Sequence, residues 1–186
     1  DGAFQALLAE GKGDVVAAFH ASLNAGLRLF DTAEVYGTGT SERLLGELAA
    51  TVQTPLVIAT KFAPLPHRWT AGSIRRALHG SLQRLRVDCI DLYQVHWYLP
   101  TLRIETLMNV LADAVQEGKI RAIGVSNYSE ARMRQAHAIL AKRGLALAAN
   151  QVEYHLLNRE CERNGVLSAC QELGITLIAY SPLGKG

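Results

Sequence analysis

The sequence predicts an α/β fold of the TIM (β/α)8 barrel type, with about six of the eight βα units present. Three observations predict it. Apolar runs of strand length alternate with amphipathic segments of helix length from Val15 to Tyr180. The strand runs, such as Leu56-Val57-Ile58-Ala59 and Ile90-Asp91-Leu92-Tyr93-Gln94-Val95, read as apolar on both faces, as in a parallel sheet covered by helices. Nearly every strand run ends in a polar side chain: Asp31, Lys61, His96, Asn127, Gln151 and Tyr180. In a barrel those ends share one functional face. The alternative is an open doubly wound sheet, which calls for a glycine-rich phosphate loop after its first strand. No G-x-G-x-x-G occurs, and Gly37-Thr38-Gly39 reads as a turn.

Each element has a local reason. Asp14 can cap a helix carrying Val15, Phe19 and Leu23, closed by Gly26, and a strand follows over 27–32. Ser41-Glu42-Arg43-Leu44-Leu45 opens a second, shorter helix. A strand over 56–61 lies between Pro55 and the pair Pro64 and Pro66. Thr70 can cap a helix near 70–86 with Ile74, Leu78, Leu82 and Leu85 on one face. A strand over 90–96 leads through Pro100 to a helix with Ile104, Leu107, Leu111 and Val115 inward, ended by Gly118. The strand at 120–126 precedes a helix from Ser129-Glu130 to about Lys142, ended by Gly144. A strand over 147–152, a polar loop, a helix near 163–173 ended by Gly174 and a strand over 175–180 complete the series. A complete barrel of this type has eight strands and about 250 residues. We therefore expect the 186 residues to form a single partial barrel domain over 1–186, with the rest of the barrel beyond one or both ends.

Composition narrows the function classes. With 49% hydrophobic and 19% charged residues, the chain can bury a core and is not a disordered polymer. A formal charge of +2, with no basic block interleaved with aromatics, argues against a nucleic-acid partner. The longest apolar runs fall well short of the roughly 20 residues of a membrane span, and Asp1-Gly2-Ala3-Phe4 does not open a signal peptide. Cys89, Cys161 and Cys170 lack CxxC spacing. They read as reduced thiols in the cytoplasm or another reducing compartment, with no disulfide frame and no metal site.

The strand ends carry the chemistry. Asp31 closes the run Leu27-Arg28-Leu29-Phe30, and the phenol of Tyr36 comes five positions later. Lys61 closes the next run and His96 the third. A carboxylate, a phenol, an ammonium and an imidazole gathered on successive strand ends make a proton-transfer site.

The motifs around these residues resemble the aldo-keto reductase family. They are Phe30-Asp31-Thr32-Ala33-Glu34-Val35-Tyr36-Gly37, Ala59-Thr60-Lys61, Asp91-Leu92-Tyr93-Gln94-Val95-His96-Trp97 and Gly118-Lys119-Ile120-Arg121-Ala122-Ile123-Gly124-Val125-Ser126-Asn127-Tyr128. Asn150-Gln151-Val152-Glu153-Tyr154 and Ala179-Tyr180-Ser181-Pro182-Leu183-Gly184 complete the series. The wording is similar to that of plant, algal and bacterial members, and a plant or algal origin would imply the chloroplast stroma. The resemblance places the start of the chain just after the barrel's first strand and its end just after the seventh.

The resemblance implies an oxidoreductase that reduces aldehydes or ketones to alcohols with NADPH, NADH not being excluded, on a small-molecule carbonyl substrate. By that resemblance Tyr36 is the general acid, Lys61 lowers its pKa, Asp31 keeps Lys61 charged and aimed, and His96 orients the substrate carbonyl. Glu34 competes as a catalytic carboxylate but reads better as a loop residue. Ser126, Asn127 and Gln151 would hold the nicotinamide carboxamide, which needs both donors and acceptors. Tyr180 would stack on the nicotinamide ring, and Ser181, Leu183 and Gly184 fall on the pyrophosphate loop, where Lys185 could add charge. Trp69, Trp97 and Tyr98, with His67 and Leu99, could rim a substrate pocket. A second reading is a cofactor-binding regulatory subunit of the same fold, like the potassium-channel β subunits. A third is an inactive fragment, since six barrel strands leave two open edges.

Overall fold

The computed structural model describes residues 2–68 and 70–184, with side chains from residue 13 onward. Helix α1 (Gly2–Asn24) is followed by strand β1 (Leu29–Asp31) and a 3-10 turn (Tyr36–Gly39). Helix α2 (Thr40–Ala49), strand β2 (Val57–Phe62), helix α3 (Ala71–Leu85), strand β3 (Ile90–Val95) and helix α4 (Ile104–Gln116) come next. Strand β4 (Ile120–Ser126), helix α5 (Glu130–Ala141), strand β5 (Leu147–Glu153), helices α6 (Glu160–Arg163) and α7 (Val166–Leu173), and strand β6 (Thr176–Tyr180) close the described chain. No helix among the described residues is long and apolar enough to cross a membrane.

The six strands form one parallel sheet in the order β1-β2-β3-β4-β5-β6. A doubly wound sheet reverses its order at a switch point. This one never reverses, so its crossovers all wind the same way, as in a barrel. The order decides between the two architectures that alternation alone left open.

The two faces of the sheet are built differently. Ile58, Phe62, Tyr93, Val95, Ile123 and Val125 face the helices and pack against Ile74, Leu78, Leu107, Leu111, Met133 and Leu140. The inner face carries a smaller set, Ala59, Leu92 and Ala149 with Ala122, Ala148 and Ile178. Side chains alternate with period two along a strand. Two residues beyond the inner apolar positions Ala59, Leu92, Ala149 and Ile178 therefore stand Lys61, Gln94, Gln151 and Tyr180, on the same inner face. A second polar layer lies behind the sheet. Glu42, fully buried, accepts from Thr60 Oγ1 at 2.6 Å and from Arg84 Nε at 2.6 Å, joining α2, β2 and α3. At the opposite rim, Asp91 accepts the Ile58 amide at 2.9 Å and so pins β3 against β2.

Local expectations hold where one residue decides them. Thr70 caps α3, and the Ser73 side chain returns the bond to complete a capping box. Three expectations are corrected. The first helix begins by Gly2 rather than at Asp14, which lies within it. Strand β1 is only three residues long and, among the described residues, pairs with β2 alone. The helix expected near 163–173 is two helices, broken at Gly165 with φ 84°. There a Cβ would stand 2.1 Å from Glu130 Oε2, so a helix on the neighbouring unit fixes the break.

Candidate active site

The polar ends of β1, β2 and β3 converge on one ion pair. The Lys61 ammonium, 1% exposed, contacts the Asp31 carboxylate and donates to the Thr32 carbonyl at 2.8 Å. Asp31 is held from its other oxygen by Gln94 Nε2 at 3.0 Å. Tyr36, on the turn after β1, places its ring over this pair, with Lys61 Nζ 5.3 Å from the ring centroid. His96 meets the Tyr36 ring edge-on, at 5.6 Å between centroids and 80° between planes. Its backbone amide bonds to Phe62 O at 2.9 Å, which continues the ladder and sets the imidazole beside β2. The structure thus brings Asp31, Tyr36, Lys61 and His96 together.

Burial and pairing set the charges. Burial lowers the Lys61 pKa, and Asp31 opposes that shift by charge and by hydrogen bond. Burial also raises the Tyr36 pKa, with the Asp31 carboxylate and then Tyr180 adding to it. The net direction is upward: burial and the Asp31 carboxylate outweigh the lowering expected of Lys61. Lys61 spends its charge on Asp31 and lies over the ring, so the phenol feels burial and a neighbouring anion more than a free cation. Tyr36 keeps its proton at neutral pH. Burial first, then Lys61, takes His96 down to about 4, against the pull of Asp31. The imidazole is neutral at pH 7, and its buried Nδ1 has no hydrogen-bond partner among the described residues.

The ends of β4, β5 and β6 form an adjoining polar strip. Ser126 Oγ donates to the Gln151 carbonyl at 2.9 Å, and Asn127 Nδ2 to Ser126 Oγ at 3.1 Å. Tyr180 donates to Asn127 Oδ1 at 3.1 Å. Asn127 and Ser181 adopt left-handed backbone, φ 58° and 51°. Such conformations cluster where a site over-determines the chain. The Gln151 side chain, 5% exposed, makes no hydrogen bond among the described residues. A buried amide with free donors and an acceptor is suited to receive a carboxamide. After β6, Gly184 N bonds back to Ser181 O at 2.8 Å, and Leu183 is exposed. Lys185 lies outside the described residues.

The aromatic candidates separate. Trp97 packs against His96 at 4.6 Å between centroids. Tyr98 lies beneath the Arg132 guanidinium, 3.9 Å from its centroid, and edge-on to Tyr128, so its ring bridges the loop after β3 to α5. Leu99 packs on the core and His67 is exposed. Trp69 lies outside the described residues. Glu34 accepts from the Ala63 amide and from Arg68, each at 2.7 Å, and is buried. It clamps the loop after β1 to the loop after β2, as a loop residue should. The residues missed in the sequence were Gln94, Glu42 and Gly124. A glutamine on the inner face of β3, two residues before His96, was the one available signal.

Residues 11–186 match the model of the aldo/keto reductase family. The chain belongs to that family. Among curated aldo/keto reductase relatives, the chloroplastic pyridoxal reductase of Arabidopsis thaliana is 41% identical over 183 residues, 91% of this chain and 50% of its own length. The 6-dehydroglucose reductase of Novosphingobium aromaticivorans is 38% identical, over 93% of this chain and 60% of its own. This aldo/keto reductase chain thus spans between half and three-fifths of those relatives. A thermostable aldo-keto reductase solved with the inhibitor epalrestat superposes with a TM-score of 0.85 at 34% identity, covering 94% of this chain and 62% of that one. An aldo/keto reductase from Klebsiella pneumoniae, solved with NADP and acetate, gives 0.83 at 30% identity over 95% and 60%. Its sheet of six parallel strands is therefore part of a TIM barrel, as the strand order indicates.

Proposed function

We propose that the protein reduces aldehydes or ketones to alcohols with NADPH, and that Tyr36 is its general acid. One observation carries the reading: the Tyr36 phenol lies over the Lys61–Asp31 pair, whose ammonium is buried, with the His96 imidazole at its edge. A reduced nicotinamide, when bound, supplies the hydride that adds to the carbonyl carbon. The chain must then supply a proton to the carbonyl oxygen. Tyr36 gives it, and its raised pKa keeps that proton in place until negative charge develops on the substrate. Lys61 stabilises the phenolate that remains, and Asp31 holds Lys61 beneath the ring. His96, neutral and edge-on to Tyr36, donates to the same oxygen.

Ser126, Asn127 and Gln151 would hold the nicotinamide carboxamide, Tyr180 would stack on its ring, and Ser181, Leu183 and Gly184 would meet the pyrophosphate. The unpaired Gln151 amide supports this placement, and the NADP and NADPH complexes of the Klebsiella proteins support the choice of cofactor. Trp97 contributes to the substrate rim, at the edge nearest His96. Free Cys89, Cys161 and Cys170 fit a reducing compartment, the cytoplasm or, following the chloroplastic relative, the stroma.

The test is loss of NADPH absorbance with a generic aldehyde, using the full-length protein and Tyr36→Phe. Turnover should fall by at least about a hundredfold in the variant, with cofactor affinity within about twofold. Turnover that survives Tyr36→Phe assigns the acid elsewhere. Tight cofactor binding without turnover in the unaltered protein would support the regulatory-subunit reading instead.

A further inference from the structure

We propose that Gln94 is a positioning residue: its side-chain amide fixes the Asp31 carboxylate so that Asp31 holds Lys61 beneath Tyr36. The inference rests on the reading of Tyr36, Lys61 and Asp31 given above. Asp31 terminates a three-residue strand at the margin of the described sheet, and its side chain is 32% exposed. A carboxylate there has little of its own strand to orient it. One oxygen meets Lys61. The other receives Gln94 Nε2 at 3.0 Å, from a strand two places away across the sheet. With both oxygens engaged, rotation about the carboxylate bond would break one contact or the other. An amide can do this without adding charge, so the ion pair keeps its balance.

Two further observations support a built contact. Gln94 is fully buried, yet its Oε1 has no partner among the described residues. A buried orphan acceptor is costly. Its retention here is consistent with an amide whose other end does something necessary. In addition, Gln94 stands in register with Gly124 on β4. A Cβ on Gly124 would lie 2.8 Å from Gln94 Cγ and 3.2 Å from Leu92 Cδ1. Gly124 also lies where the β4–β5 register shifts, a kind of irregularity that re-aims neighbouring side chains. The absence of a side chain at 124 leaves the room in which Gln94 lies across to Asp31.

The titratable groups around this amide are Asp31 at the end of β1, Lys61 on β2, Tyr36 on the turn above them and His96 two residues on, just past the end of β3. Tyr180 on β6 reaches the set through its effect on Tyr36. Gly124 on β4 adds no charge. The pH dependence of an introduced carboxyl at position 94 can therefore be traced to Asp31 and Lys61. Protonated, it donates to Asp31 as the amide does. Ionised, it repels Asp31 and competes for Lys61.

The experiment is steady-state kinetics against pH on full-length protein carrying Gln94→Met, Gln94→Glu or Tyr36→Phe. Losing a hydrogen bond to a charged group should lower kcat of Gln94→Met on the order of tenfold at every pH, with KM for NADPH within about twofold. Gln94→Glu should approach the unaltered protein below about pH 5 and fall away as pH rises. If Gln94→Met does not fold, the pH-dependent loss in Gln94→Glu carries the test alone. An inactive Tyr36→Phe alongside Gln94 variants of unchanged kcat and pH profile overturns this proposal and leaves the reading of the site intact. An active Tyr36→Phe overturns that reading first.

Discussion

His96 is the residue whose environment departs most visibly from what its neighbours in sequence indicate. Its pKa falls from 6.5 to about 4 because burial and Lys61 disfavour the charged ring. The unfolded chain takes up this proton as pH drops through about 6.5, while the folded chain resists until about 4. The folded state should therefore lose stability as pH falls across that window, and the loss should level off below it. Denaturation midpoints between pH 7 and pH 4 would show a shallower decline for His96→Gln than for the unaltered protein. Equal slopes would mean that the imidazole is not held neutral. The site's members were legible as polar residues at strand ends, because that pattern needs only the strand period. The pKa directions were not, since they depend on which charge Lys61 spends itself upon. Nor was the role of Gln94, whose partner lies 63 positions away.

Among the elements, α2 and α3 show how a small residue decides packing. Gly46 lies where the two helices meet, and a Cβ there would stand 2.6 Å from the Leu85 carbonyl oxygen. Backbone cannot swing aside as a side-chain tip can. Gly46→Ala should destabilise the full-length protein by about 1–3 kcal/mol, measured by urea denaturation. A change below about 0.5 kcal/mol, the usual range for a surface position, would show the helices free to part. The Thr70 cap and the terminating glycines Gly118 and Gly144 could be read from sequence because their geometry is local. The division at Gly165 could not, because Glu130 of another βα unit imposes it.

At the scale of the whole molecule, the sheet as described has β1 and β6 at its margins. Leu27, Leu29 and Val57 are exposed beside the first of them. Unpaired strand edges flanked by apolar side chains template association. The 186-residue chain produced by itself should scatter light as a polydisperse species and lack a cooperative melt. A monodisperse monomer with a sharp transition would overturn that expectation. The fold class was legible because both-face apolar strands and polar strand ends are properties of composition and order. The single hand of the winding was settled by the strand order.

That order has a kinetic consequence. Among the described residues each strand hydrogen-bonds only to strands next to it in sequence, so a chain leaving the ribosome meets its pairing partner as soon as one more helix has been made. Growth of the sheet and synthesis of the polypeptide run in the same direction, and long-range loop closure is kept to one crossover at a time. An error of alignment at an early step would be inherited by every later one. The Asp91 carboxylate, locked on the Ile58 amide, guards one of the first of those joins.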